Sequence, residues 1–320
     1  MLILGIETSC DETSAAIVEN GKKILSVFTH TQIDEHSPYF GVVPELASRI
    51  HLEMVTVCVN EAMKQAGLTF SQLDAIAVAN RPGLIGSLLI GVSAAKVYGF
   101  THDLPIIPVN HILAHLYAPH LEMEVEYPNI GLIVSGGHTM LTYNISPTDF
   151  ELVGTTVDDA VGEAFDKIAK HLNLGYPGGP IIDKLAALGD ENAYRFPLVM
   201  LKKKDRYNFS YSGLKTAVVN FRHNFLSENT QENNENIAAS FQKKAIDVLY
   251  KKTKLLCAEK NIQRVILSGG VACNSYLRKL FRGDGKLVAY IPSPSLCTDN
   301  AAIIAGLAYH VSDRGDLSLD

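Results

Sequence analysis

The chain has 320 residues, a mass of 34.9 kDa and a formal net charge of -6, enough for one large or two medium domains with an ample core. The negative charge excludes a protein that grips nucleic acid unaided, because phosphate binding needs a basic surface. Five cysteines, never spaced Cys-x-x-Cys, exclude a disulfide frame and a zinc ribbon and fit a reducing cytoplasm.

The opening apolar run, Leu2 to Ile6, is followed at once by Glu7 and Asp11, so neither a signal peptide nor a membrane span is expected. Residues 2–7, 13–19 and 23–28 read as three strands, the last two joined by a hairpin turn at Glu19-Asn20-Gly21. The polar link Glu7-Thr8-Ser9-Cys10-Asp11-Glu12-Thr13 carries two adjacent carboxylates, which suit a metal or a proton acceptor, or an ordinary acidic loop. Apolar spacing predicts a helix over 43–66 that stops at Gly67. A buried strand, 75–79, then leads through Pro82-Gly83-Leu84-Ile85-Gly86 into a small-residue helix, and a short strand, 106–109, leads into Asn110-His111-Ile112-Leu113-Ala114-His115. Two imidazoles four residues apart share one helix face and can share a metal. Alternatively they point into water, away from an apolar face of Leu113, Leu116 and Tyr117. A metalloprotease helix would carry a Glu beside the first His, and here that residue is Ile112.

The opening pattern then returns. Asn129 to Val134 is a strand, Ser135-Gly136-Gly137-His138-Thr139 a small polar turn, and 140–144 and 150–153 two more strands. An internal duplication of this size implies two like lobes facing across a cleft. Thr156 with Asp159 reads as a capping box for the next helix, whose polar face carries Asp159, Glu163, Asp166 and Lys170. Gly175 to Pro180 is a rigid turn before a helix that includes Asp183. Lys202-Lys203-Lys204 and Arg206 stand beside Tyr207, Phe209 and Tyr211, either stacking on bases or covering a core. Residues 227–235 are polar and read as a mobile segment; a long helix follows to about 259. The strand 265–268 delivers Gly269-Gly270 and Asn274 to a helix start, where Asn274 reads a nucleoside or caps the helix. Asp299, before a last helix of small residues, is an oxygen ligand or, by default, an N-cap.

Together these segments resemble one family, the tRNA N6-adenosine threonylcarbamoyltransferases, the TsaD/YgjD group once described as O-sialoglycoprotein endopeptidases. The likeness is carried by Leu4 to Thr13, Gly41 to Arg49, Pro82 to Gly86, Asn110 to His115, Val134 to Thr139, Gly162 to Lys167, Tyr176 to Pro180, Ser212 to Thr216, Gly269 to Val271 and Cys297 to Asn300. Two positions depart from the pattern, Phe40 and Arg81, each standing where the family usually has glycine.

The resemblance implies an α/β, duplicated, actin-like and Hsp70-like ATPase fold with a central interlobe cleft. Residues 1–126 would form the N-terminal lobe and 127–320 the C-terminal lobe, with the last helix, about 298–313, packing back toward the former. It implies a divalent metal, Fe2+ or else Zn2+, on His111, His115 and Asp299. An adenylate would lie on Ile133, Val134, Ser135, Gly136, Gly137, Asp166, Gly179, Asp183 and Asn274, and ATP or AMP would occupy the same cleft. The implied reaction moves a threonylcarbamoyl group from threonylcarbamoyl-AMP to N6 of adenosine 37 in tRNAs reading codons that begin with A, with Asp11, Glu12 and His138 as candidates for proton removal. Implied partners are a TsaB-like paralogue, a small TsaE-like P-loop ATPase and a YrdC-type enzyme that makes the intermediate, all in the bacterial cytoplasm and none in a membrane. A metallopeptidase, a sugar-kinase or chaperone-like ATPase, and a non-catalytic scaffolding paralogue are the rival readings.

Overall fold

The first apolar run forms β1 (Leu2–Glu7), and β2 (Glu12–Glu19) returns antiparallel beside it. Asn20 and Gly21 then take positive φ values of 52° and 71°, the left-handed pair that turns the chain into β3 (Lys23–Thr31). The computed structural model describes residues 1–198, 200–201, 203–225 and 230–312, and the chain divides into two units. One comprises Met1–Val125 and the chain from Ser295 onward; the other comprises Glu126–Pro294.

In the first unit, β4 (Ala75–Arg81) and β5 (Ile106–Asn110) add parallel strands, giving the order β3-β2-β1-β4-β5. Both faces of this sheet are covered, which is why β1 and β4 read as continuous apolar runs rather than alternating ones. Ile3, Ala16, Val18, Ala77 and Val109 face the helix Ala301–Ser312 on one side. Leu4, Ile6, Ala15 and Ile17 face the other side, packing with Val55, Cys58, Val59 and Ala95 of the helices Pro44–Ala66 and Ile85–His102. The last helix lies so close to β1 that a Cβ on Gly5 would run into Ala301 O and Ala305.

The second unit repeats this plan. β6 (Asn129–Val134), β7 (Thr139–Ser146) and β8 (Asp149–Thr155) form the antiparallel set, and β9 (Arg264–Ser268) and β10 (Val288–Tyr290) run parallel to β6, in the order β10-β9-β6-β7-β8. Strand for strand this is the order of the first sheet, so the duplication legible in the sequence is present in the topology.

Two local expectations change. The helix after β8 begins at Val161, later than Thr156 predicts. The Thr156 hydroxyl instead donates to Asp159 O at 2.6 Å and closes a turn, and helix entry falls to Ala160, whose N–H donates to Glu163. In the polar stretch 227–235, residues 227–229 lie outside the described residues, while Gln231 onward already belongs to the helix Gln231–Lys260, capped by the Thr230 hydroxyl on Asn233 N.

The contact of Gly5 with the last helix yields a stability prediction. Gly5→Val must push that helix away from β1, a strain of about 1–3 kcal/mol or more. The urea midpoint should fall clearly, with little change in the slope of the transition.

Candidate metal centre and nucleotide-contact segments

β5 ends at Asn110, whose side-chain oxygen accepts from Ile112 N (2.9 Å) and Leu113 N (3.2 Å) and so starts the short helix His111–Tyr117. His111 and His115 are both buried on it, not turned into water, with ring centroids 4.6 Å apart and nearly perpendicular planes. The third member arrives from the far end of the chain. Asp299 Oδ1 lies 3.1 Å from His115 Nε2 and 3.7 Å from His111 Nε2. Asp299 is free to do this because its neighbour takes the capping duty. Asn300 Oδ1 accepts from Ala302 N (3.1 Å) and Ile303 N (3.3 Å), while Ala301 N donates to Ser14 Oγ (3.0 Å). The default reading of Asp299 as an N-cap is thereby replaced.

A fourth residue, not singled out from the sequence, organises the group. Glu7, fully buried at the end of β1, holds Oε2 3.0 Å from His111 Nδ1, and Ser9 Oγ lies 3.2 Å from the same nitrogen. Its other oxygen accepts from Ser9 N at 2.5 Å. A carboxylate on Nδ1 fixes the proton there and leaves Nε2 as a lone-pair donor, the usual support for a metal-bound imidazole. Burial alone would hold His111 in its neutral form, but the carboxylates of Glu7 and Asp299 outweigh it and push it up to about 9. The Glu7 and Asp299 carboxylates against the buried imidazoles leave negative charge that a cation would balance. The one-atom donors of His111, His115 and Asp299 all lie within 4.8 Å of one another. Two imidazoles and a carboxylate suit Fe2+ or Zn2+, so the residues fit a metal centre.

Beside it, Asp11 on the link between β1 and β2 and Glu12 at the start of β2 sit half-buried. Burial, then Asp11, Asp299 and Glu7, hold the Glu12 carboxyl well above the usual carboxylate range. Among the predicted catalytic residues, Asp11 and Glu12 belong to the first unit and His138 to the second.

In the second unit, Ser135 N donates to His138 O (2.8 Å), and Ser135 Oγ accepts from His138 N (3.1 Å), drawing a tight turn. Gly136 and Gly137 stand exposed at its tip with open space where side chains would be. Ile133 and Val134 point into the core, so only their backbone can meet a ligand. Asp166 accepts from Gly178 N at 2.7 Å, and Gly179 faces open space. Asp183 accepts from Ser275 N (2.9 Å), Ser275 Oγ (2.8 Å) and Asn274 Nδ2 (3.1 Å). The Asn274 amide also donates to Gln242 (2.7 Å), and its oxygen caps the helix Ser275–Gly283 through Leu277 N (3.0 Å). Asn274 therefore ties this corner together before any ligand is considered.

Two of the three aromatics of the basic stretch serve the core rather than a stacking surface. Phe209 and Tyr211 are fully buried, Lys252 donates to Asn208 O and lies 5.4 Å over the Phe209 ring, and Arg206 pairs with Glu259 at 2.6 Å. Lys202 lies outside the described residues.

The strand order of each unit is that of the duplicated actin-like and Hsp70-like ATPases. Solved structures agree: full-length HypF, crystallised in a phosphate- and nucleotide-bound form, aligns at a TM-score of 0.61 and 17% identity over 98% of this chain, which spans 56% of that protein. Component A of the Acidaminococcus fermentans (R)-2-hydroxyglutaryl-CoA dehydratase aligns at 0.57 and 14% identity, covering 98% and 99% of the two chains. At these identities the likeness defines the fold alone. The family described as TsaD, tRNA N6-adenosine threonylcarbamoyltransferase, matches residues 23–306. A protein of that name from Brachyspira hyodysenteriae is 52% identical over 323 aligned positions, covering 100% of this chain and 95% of its own. The chain belongs to the tRNA N6-adenosine threonylcarbamoyltransferase family and is an enzyme of tRNA t6A modification.

The outer carboxylate gives a direct test. Glu7→Gln keeps the shape but weakens the hold on His111 Nδ1, and metal affinity, measured by competition with a chromogenic chelator, should fall roughly 10- to 100-fold. Unchanged affinity would separate Glu7 from the centre.

Proposed function

We propose that this enzyme transfers the threonylcarbamoyl group from its AMP mixed anhydride to N6 of adenosine 37 in tRNAs reading codons that begin with A. The observation that carries the metal-assisted form of this reading is the buried His111, His115 and Asp299 set with Glu7 behind it. A divalent ion held there, Fe2+ before Zn2+, would supply Lewis-acid polarisation of the acyl group or hold it in line.

The remaining work falls to the chain's own residues. N6 of adenosine is a weak nucleophile because its lone pair is delocalised into the ring. A C–N bond forms from N6 to the carbamoyl carbon, the C–O bond to phosphate breaks, and AMP leaves with the electron pair. The N6 proton must go to a base, and Asp11 or Glu12 takes it in this reading, with His138 as the alternative. A carboxyl such as Glu12, held high by burial and by neighbouring carboxylates, is a better proton acceptor near neutral pH once ionised than an exposed one. The exposed glycine turn after Ser135, the open Gly179 and the Asp166 and Asp183 corners are assigned to the adenylate, with backbone N–H groups receiving negative charge. ATP or AMP would compete for the same residues.

Partner proteins supply what the charge of -6 lacks. An apolar stripe on the helix Ile85–His102, exposed at Ile85, Leu89, Val97 and Phe100, supports docking of a TsaB-like paralogue. A TsaE-like ATPase and the YrdC-type enzyme complete the cytoplasmic system. No helix among the described residues is long and apolar enough to cross a membrane.

The test is transfer of labelled threonylcarbamoyl from its adenylate to tRNA, with the chain and its partners, before and after chelation. Label should appear on A37, disappear with the metal and return on adding Fe2+. Full transfer by His111→Ala or Asp299→Ala would remove the metal from the reaction. Peptide hydrolysis, or ATP turnover by the chain alone, would favour the rival readings.

A further inference from the structure

Behind the acidic link runs a line of buried polar side chains that the chemistry above does not use. His51, on the helix Pro44–Ala66, is fully buried and lies with Nε2 2.9 Å from Cys10 O. A carbonyl only accepts, so Nε2 carries the proton. Nδ1 is then the acceptor, and the Thr13 hydroxyl (2.8 Å) and the Gln32 amide nitrogen (3.3 Å) both point at it. The Gln32 oxygen accepts in turn from His36 Nε2 at 3.1 Å, and His36 Nδ1 accepts from Val43 N at 3.3 Å. Gln32 and His36 are fully buried as well. The main chain of Gln32 adds a further tie, its N–H donating to Asp11 O at 3.1 Å.

Every donor on this line meets an acceptor in one arrangement only. Flipping the Gln32 amide would set an oxygen against the lone pair of His51 and an NH2 against the N–H of His36. A proton on His36 Nδ1 would face the Val43 N–H. The rings therefore stand neutral, both protonated on Nε2, and burial holds His51 below its ordinary value in the same sense. Burying two imidazoles, an amide and a hydroxyl where Val55, Cys58 and Val59 line the same helix face is an expensive way to fill a core. What distinguishes the polar line from apolar packing is where it ends, on the carbonyls of Cys10 and Asp11 and on Thr13.

We propose that Gln32, His36 and His51 are positioning residues for the transfer reaction, clamping the backbone of Cys10 to Thr13 so that the Asp11 and Glu12 carboxylates are held in one orientation. The proposal rests on the reading of that link as the proton acceptor. The clamp's side chains bond to Cys10, Thr13, Val43 and one another, not to His111, His115 or Asp299, so its loss should fall on the chemical step rather than on metal uptake or tRNA binding.

The experiment is steady-state transfer by the complete complex with His51→Phe, His51→Gln and Thr13→Val, alongside Asp11→Asn and Glu12→Gln. Phe keeps a ring but loses the hydrogen bonds to Cys10 O, Thr13 and Gln32; Gln retains an N–H in place of Nε2 for Cys10 O. Expected for His51→Phe is a roughly 10- to 100-fold lower kcat, as for a misaligned reacting group, with KM for tRNA and metal content unchanged. His51→Gln should recover most of the rate, and Thr13→Val should show a smaller loss of the same kind. If His51→Phe fails to fold, Gln32→Leu takes its place with the same expectation. A folded variant with wild-type kcat, or a loss that falls on KM or metal content instead, overturns the proposal. If Asp11→Asn or Glu12→Gln is inactive while His51→Phe runs at full rate, the clamp alone is wrong. If both carboxylate variants transfer normally, the proton-acceptor reading fails and takes the clamp with it.

Discussion

The hydrogen bond from Ala301 N to Ser14 Oγ joins residues 287 apart in sequence and ties the last helix to the sheet of the first unit. It seats the N-terminus of the last helix on the hairpin strand β2, while Gly5 lets that helix reach β1. Because Asn300 accepts the helix's free N–H groups, Asp299 is left to turn toward His111 and His115. Without this docking the two histidines would be a buried pair with Glu7 and no third donor. Docking of the last helix therefore brings Asp299 to the two histidines, and under the proposed metal reading an ion held there would stabilise the docked helix.

Much of this was legible in the residues. The Asn20-Gly21 turn, the stop at Gly67 and the repeated strand–turn–strand pattern each rest on local backbone chemistry, and each stands in the fold. The histidine spacing likewise announced a shared face. What local reasoning could not supply was the competition for a role. Asp299 and Asn300 are both good caps, and only the docked geometry shows which one is used. Thr156 lost its capping role to a turn for the same reason. Glu7 was hidden by its strand. A charge at the end of a fully buried apolar run demands a partner, and that was the signal available, but the partner lies 104 residues away.

The second unit shows the limit differently. Asn274, read from the sequence as a nucleoside contact or a helix cap, caps its helix, and it and Asp183 are engaged with Ser275 and Gln242. They shape a corner, whereas the open glycines at 136, 137 and 179 leave backbone exposed. In the first unit, Phe40 takes a φ of 56°, a left-handed form that glycine adopts without strain.

The central claim is that His111, His115 and Asp299 hold one metal ion. Anomalous diffraction from iron-loaded crystals, collected on both sides of the iron edge, tests it most directly. The account predicts a single strong peak bonded to the Nε2 atoms of His111 and His115 and to the Asp299 carboxylate. A fully active, iron-loaded protein whose peak lies elsewhere, or one that shows none, would contradict it.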